Sequence, residues 1–175
     1  LAPLALVLGA RNAVEDADRP PYALAFIVGA VIWALYLATL APSTAMWDTS
    51  EYITAAKVLG IPHPPGNPLF VLIAHAFALI PVPLEYAARV NLLAATTSAL
   101  SAVFWVLVAH RATRGWGLPR VPRLVIASLG AWIGATAFTV WNQSVVNEKV
   151  YTIAMLFVAA VAWAANKTGS SNVIV

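Results

Sequence analysis

The chain of 175 residues contains no cysteine and little charge, since only 10% of its residues are Asp, Glu, Lys or Arg. The absence of cysteine excludes disulfide bonds and thiolate-bound metal sites. Charged residues make up about a quarter of a typical soluble domain, whereas apolar residues reach 61% here and the mean hydropathy is +0.81. A chain this short cannot enclose so much apolar surface in a water-soluble core. The composition therefore predicts a protein that crosses a membrane several times.

The net charge of +3 does not indicate a nucleic-acid partner, because the basic residues are too sparse and too localised to follow a phosphate backbone. In membrane proteins, basic loops mark the cytoplasmic side instead. Residues 110–123, HRATRGWGLPRVPR, carry four arginines and no acid. We therefore expect this arginine loop on the cytoplasmic side and no nucleic acid among the partners.

Four apolar runs are long enough, or nearly so, to cross about 30 Å of hydrocarbon at about 1.5 Å per residue. They cover residues 22–41, 86–110, 124–141 and 150–165. A fifth run, residues 68–80, is shorter and bracketed by prolines, so we expect it to lie in the membrane interface. The sequence thus predicts an all-α polytopic protein whose first outer loop, residues 42–85, carries interfacial helices. Residues 1–21 form an N-terminal segment, and residues 166–175 form a tail.

Under this topology, the acids after residue 18 all lie on the outer side of the membrane. They are Asp48, Glu51, Glu85 and Glu148. In so apolar a chain, acids that gather at one membrane boundary are the main indication of a functional site that charge alone provides.

Asp48 and Glu51 are three residues apart, so they share a face if the segment is helical. Asp-Thr-Ser-Glu has the form of a capping box, in which both side chains bind free backbone amides. A carboxylate at the membrane boundary can also accept a proton from a hydroxyl substrate. The two roles can coexist, and both residues are therefore candidates for catalysis.

His63 lies in the stretch IPHPPGNP, whose prolines and glycine favour a rigid turn. A histidine held there could donate to a phosphate, bind a metal, hold a carboxylate or only contact solvent. Arg89, near the start of the second apolar run, could reach the interface, pair with Glu85 or hold a lipid phosphate. Glu148 and Tyr151 could be a helix-terminal charge and part of an aromatic belt.

Three segments carry a wider resemblance: WDTSEYITAAKVLGIPHPPGNPLFVLIAHAFALIP, then ARVNLLAATTSALSAV, then FTVWNQSVVNEKVYTIAML. In this order they resemble the N-terminal portion of a bacterial family of polytopic membrane proteins. That family is similar to protein O-mannosyltransferases and belongs to the GT-C glycosyltransferase superfamily. The resemblance covers about residues 22–165. It implies an enzyme of the bacterial inner (cytoplasmic) membrane that transfers a sugar from a polyprenyl-phosphate donor to an acceptor on the outer face.

The resemblance also implies roles for single residues. Asp48 becomes the candidate general base or acceptor-orienting carboxylate, and Glu51 supports it. His63 and Arg89 become candidates for binding the donor phosphate, whose leaving-group charge must be stabilised. Two further substrate-binding candidates come from the E-x-x-Y motif: Glu148 and Tyr151.

Members of this family have many more spanning helices than the four expected here. We therefore expect either part of a longer enzyme or a shortened relative that acts as a non-catalytic transmembrane subunit or scaffold of a larger membrane complex. The expected partners are membrane lipid, the sugar donor and, in the second case, other subunits. The sequence assigns no metal ligands and leaves open whether a divalent metal takes part.

Overall fold

The computed structural model describes residues 19–45, 48–147 and 150–168, with side chains described as far as residue 165. Within these ranges the secondary structure is helical and contains no strand, which confirms the all-α class. The helices are α1 (Tyr22–Ala38), α2 (Thr49–Val58), α3 (Pro68–Ala78), α4 (Tyr86–Ala112), a 3-10 helix (Thr113–Trp116), α5 (Arg120–Thr136), α6 (Phe138–Val145) and α7 (Tyr151–Thr168).

Helix α4 is the centre of the bundle, and α1, α5 and α7 pack along it. Many of its buried residues are small, among them Ala94, Ala95, Ser98 and Ala102. Small side chains let neighbouring helix backbones approach closely, as in membrane helix bundles. Together with the 3-10 helix, α4 forms the one helix of the described ranges that is long and apolar enough to cross a membrane unaided.

The other expected spans are shorter or bent. Helices α1 and α7 are apolar but fall below the length of a full span, and α5 and α6 count as one span only if their 67° bend is included. The bend falls at Ala137, whose ψ of 136° leaves the helical region. Just before it, the hydroxyl of Thr136 donates to the carbonyl of Trp132 at 2.9 Å. Such side-chain bonds compete with the helix ladder and often bend helices.

Asn91 joins three chain segments at one end of the bundle. Its Nδ2 donates to the carbonyls of Ala41 at 2.9 Å and Ser43 at 3.0 Å, in the loop after α1. Its Oδ1 accepts the amide of Asn147, after α6, at 2.9 Å. The loop after α1, the start of α4 and the end of α6 therefore lie together and form the Asn91 end of the bundle.

The arginine loop lies at the opposite end of α4. There Arg123, at the start of α5, donates from Nη2 to the carbonyl of His110 at 3.0 Å. The ring of Tyr22, the first residue of α1, packs edge-on against Trp163 near the end of α7, with 6.1 Å between ring centroids. The arginine loop is thus separated by the length of the bundle from residues 42–45 and 48–85.

Helices α2 and α3 pack against each other and cover the first turns of α4. Their shared core contains Tyr52, Phe70, Ala74, Val90 and Leu93. With 11 residues, α3 is about 16 Å long. That length is about half of the hydrocarbon thickness, so α3 cannot cross a membrane alone.

Candidate functional site

Asp48 and Glu51 both lie at the start of α2, Asp48 just before the first turn and Glu51 within it. The capping box is not formed, because the side chain of Asp48 makes no capping hydrogen bond. A capping residue normally has an extended backbone, whereas Asp48 has φ −78° and ψ 0° and is already helical. That alternative is therefore wrong, and the Glu51 carboxylate has another partner.

The partner is His63, which a tight turn brings back over the start of α2. Helix α2 ends where Leu59 adopts a left-handed backbone with φ 53°. The chain then turns at residues 63–66, where the amide of Gly66 donates to the carbonyl of His63 at 2.9 Å. Gly66 has φ +78°, a conformation that suits glycine because it has no Cβ. The Pro64–Pro65 peptide bond within this turn is cis.

The Glu51 carboxylate holds His63 at two points. The main-chain amide of His63 donates to Oε1 at 2.6 Å, and the ring Nδ1 donates to Oε2 at 2.8 Å. The ring bond is the larger and the amide bond the next cause of a lowered pKa for the Glu51 carboxyl. An ionised carboxylate can only accept hydrogen bonds, so Nδ1 carries a proton and Nε2 points away from Glu51.

Asp48 lies on the other edge of the imidazole. Its Oδ2 is 3.8 Å from Nε2 of His63, a separation that exceeds a hydrogen bond. The side chains of Asp48, His63 and Glu51 are 32%, 39% and 44% exposed. One potential ligand atom from each of the three residues lies within 4.8 Å of the others. The structure therefore brings three of the candidate residues into one open group, called the Asp48–Glu51–His63 cluster.

Tyr52 connects this cluster to the protein core. Its side chain is fully buried, and its ring meets His63 edge-on with 5.7 Å between centroids. On the other side it packs against Phe70 of α3 at 5.5 Å. Nδ2 of Asn67 donates to the Tyr52 hydroxyl at 2.7 Å. The cluster therefore packs against buried side chains where α2 and α3 meet.

Arg89 is placed apart from the cluster and binds main-chain carbonyls. Its Nε donates to the carbonyl of Leu84 at 2.8 Å, and its Nη1 donates to that of Ala78 at 3.1 Å. These bonds close the C-terminus of α3 against the start of α4. The i,i+4 ion pair with Glu85 is absent from the described part of the chain. Arg89 and Glu85 instead border an open cavity of about 550 Å³.

Of the two candidates from the E-x-x-Y motif, the structure describes only Tyr151. Glu148 lies outside the described residues. Tyr151 is the first residue of α7, and its side chain is 45% exposed. Asn147, the last described residue before the motif, is fixed at the Asn91 end, as α2 is near the start of α4.

Sequence reasoning did not single out Tyr52, Asn67 or Asn91. Asn91 carried a usable signal, because a buried amide inside an apolar helix indicates a structural or functional bond. Asn67 carried a weaker signal, because asparagine after glycine suits the left-handed backbone that it adopts at φ 41°.

Residues 48–172 match the family model described as the protein O-mannosyl-transferase TMEM260 N-terminal domain. The match begins at Asp48 and includes the whole cluster. The chain belongs to this family. Membership confirms the expected resemblance to protein O-mannosyltransferases.

A curated relative within the family is the mouse (Mus musculus) protein O-mannosyl-transferase TMEM260, a eukaryotic protein. It is 33% identical to this chain over 134 residues, which cover 75% of the chain. The chain spans only 17% of the length of this relative. No solved structure matches the chain significantly.

Proposed function

We propose that the chain is the N-terminal part of a membrane glycosyltransferase that moves a sugar from a polyprenyl-phosphate donor to an acceptor hydroxyl on the outer face. The name of the mouse relative makes mannose the first sugar to test. The observation that carries the proposal is the open Asp48–Glu51–His63 cluster, which lies within the family match and at the boundary of the apolar bundle.

In the proposed reaction, Asp48 is the general base. Its carboxylate accepts the proton of the acceptor hydroxyl as the acceptor oxygen bonds to the anomeric carbon. The bond between that carbon and the phosphate oxygen breaks, and the polyprenyl phosphate leaves with the electron pair. Glu51 supports the site by holding His63, whose ring can face the leaving phosphate.

The remaining candidates are proposed to complete the substrate site in the longer protein. Arg89 already borders a cavity with room for a headgroup, and its guanidinium suits a phosphate. Glu148 and Tyr151 are proposed to contact the acceptor.

A membrane arrangement of GT-C type accommodates this chemistry. Four apolar segments would cross the bacterial inner membrane, with the arginine loop in the cytoplasm and α2 and α3 along the outer interface. The separation of α2 from the arginine loop along α4 supports this assignment. Helix α1, with 17 residues, reaches about 25 Å, and a shorter span of this kind is accommodated by local bilayer thinning.

The test is sugar transfer by the full-length protein in proteoliposomes that contain polyprenyl-phosphate mannose. Asp48→Asn should lower turnover by about 10²–10⁴-fold, the usual contribution of a general base, with expression unchanged. Asn142→Ala, at an exposed position outside both the cluster and the Arg89 cavity, should leave turnover within a few-fold of the wild type. Equal turnover in Asp48→Asn and wild type would remove Asp48 from the mechanism, and turnover absent from the wild type would favour a scaffold.

A further inference from the structure

The 3.8 Å separation between Nε2 of His63 and Oδ2 of Asp48 is too long for a hydrogen bond. Two ligands that bind one tetrahedral cation at about 2.1 Å lie about 3.4 Å apart. The pair therefore needs to close by only about 0.4 Å to share a tetrahedral cation such as Zn²⁺, and somewhat further to share an octahedral one such as Mn²⁺. The pair is already within ion-pair distance, but a charge-assisted hydrogen bond of about 2.9 Å would need a larger approach of about 0.9 Å.

A second observation concerns the other nitrogen of the same ring. Nδ1 of His63 donates to Oε2 of Glu51 at 2.8 Å, and the adjacent amide donates to Oε1. In metal sites, a carboxylate commonly accepts the far N–H of a metal-binding histidine, which fixes the tautomer and leaves the second nitrogen free to bind. Here that second nitrogen is the one that faces Asp48.

We propose that Nε2 of His63 and the carboxylate of Asp48 bind one divalent cation, with Glu51 as the residue that positions the imidazole. A nitrogen and an oxygen ligand suit Mn²⁺ or Zn²⁺ better than Ca²⁺. All three side chains are partly exposed, so the other coordination positions are open to water or to a phosphate oxygen. This inference rests on the proposed function only where it gives the cation a phosphate oxygen as a further ligand. Binding of the cation itself requires no substrate.

The full-length protein in detergent, titrated with MnCl₂ alone and followed by electron paramagnetic resonance, tests the proposal. One saturable Mn²⁺ should bind, and pulsed spectra should show coupling to an imidazole nitrogen. His63→Gln should remove the nitrogen coupling. The matched variant His75→Gln should keep it, because Nδ1 of His75 is engaged with the carbonyl of Ala56 at 2.8 Å, away from the cluster.

The Mn²⁺ affinity of variants at the acidic residues provides a second, independent measurement. Asp48→Asn should weaken Mn²⁺ binding at least tenfold, and Glu51→Gln should weaken it about 10–100-fold, as the loss of a positioning carboxylate does. Glu85→Gln should leave the affinity unchanged. Circular dichroism verifies that each variant folds.

Absence of a saturable Mn²⁺ site, or a site that survives both Asp48→Asn and His63→Gln, would overturn the proposal. The outcome is separable from that of the proposed function. Sugar transfer that persists in excess chelator, together with no Mn²⁺ site, would overturn the proposed cation site and leave the proposed function standing. A Mn²⁺ site in a protein that shows no sugar transfer would support the proposed cation site and overturn the proposed function.

Discussion

The carboxylate of Glu51 accepts two hydrogen bonds from His63, one from its main chain at 2.6 Å and one from its ring at 2.8 Å. Glu51 therefore determines both where the turn lies and which nitrogen of the ring faces Asp48. Most of the chemistry proposed for this chain depends on that contact, because it converts a loop histidine into an oriented group.

Removal of the Glu51 carboxylate should loosen the turn that follows α2. In Glu51→Ala the amide of His63 loses its acceptor, so we expect the amides of residues 60–67 to exchange with deuterium several-fold faster. Hydrogen-exchange mass spectrometry of the detergent-solubilised protein measures this. Ser50→Ala, at an exposed neighbouring position of the same helix, is the control. Equal exchange in wild type and Glu51→Ala would show that the prolines alone hold the turn.

The left-handed backbone of Gly66 should make the turn sensitive to a single methyl group. In Gly66→Ala the new Cβ would lie 3.2 Å from Ile61 at a backbone φ of +78°. We expect a loss of about 1–2 kcal/mol in the free energy of unfolding, seen as a lower melting temperature. Gly115→Ala, where a Cβ meets nothing within 4 Å, should be nearly neutral. A Gly66→Ala protein as stable as Gly115→Ala would contradict the turn geometry.

The close approach of α1 and α4 should be sensitive at Gly29. A Cβ at this position would collide with Val103 and lie 3.2 Å from the carbonyl of Ala99. Gly29→Ala should destabilise the protein by about 1–3 kcal/mol through overpacking. Gly130→Ala, on an open face of α5, should be neutral or stabilising by up to about 1 kcal/mol because alanine favours helix. Thermal unfolding of both variants makes the comparison, and the reverse order would refute this packing.

The buried amide of Asn91 should contribute more to stability than an exposed amide does. Asn91→Leu would leave the carbonyls of Ala41 and Ser43 and the amide of Asn147 without their partner. The bond to the Asn147 amide is buried, and a buried polar group left unsatisfied costs about 1–3 kcal/mol, so a fall in melting temperature is expected. Asn142→Leu, at an exposed position, should change the melting temperature little. A similar effect of the two substitutions would argue against the three-segment junction.

The helical class and the approximate positions of α1, α3, α4, α5 and α7 follow from the sequence, because apolar runs, prolines and glycines mark where helices begin and end. The expected span at residues 124–141 is broken at Ala137, which has no proline or glycine to signal it. The run at residues 68–80 corresponds to the short helix Pro68–Ala78, as its length and flanking prolines indicated.

Three of the six candidate residues meet in one cluster, but the sequence did not show which groups in it would bind each other. Asp48, Glu51 and His63 were each named from residue type and motif. The three-residue spacing of Asp48 and Glu51 favoured a capping box. Local spacing carries no information on His63, which lies 12 residues after Glu51 and is brought back to it by a turn. The chain reverses through the left-handed backbones at Leu59 and Gly66. Local sequence preference does not determine which side chains this reversal brings together. Arg89 was expected at a phosphate, yet main-chain carbonyls occupy its Nε and Nη1.

Asn91 has a mechanical consequence for the bundle. Because one side chain ties the loop after α1 and the residue after α6 to the same turn of α4, neither loop can shift without pulling on the other. A substrate that displaced the first loop would transmit that displacement to Asn147, so two segments far apart in the sequence would move together.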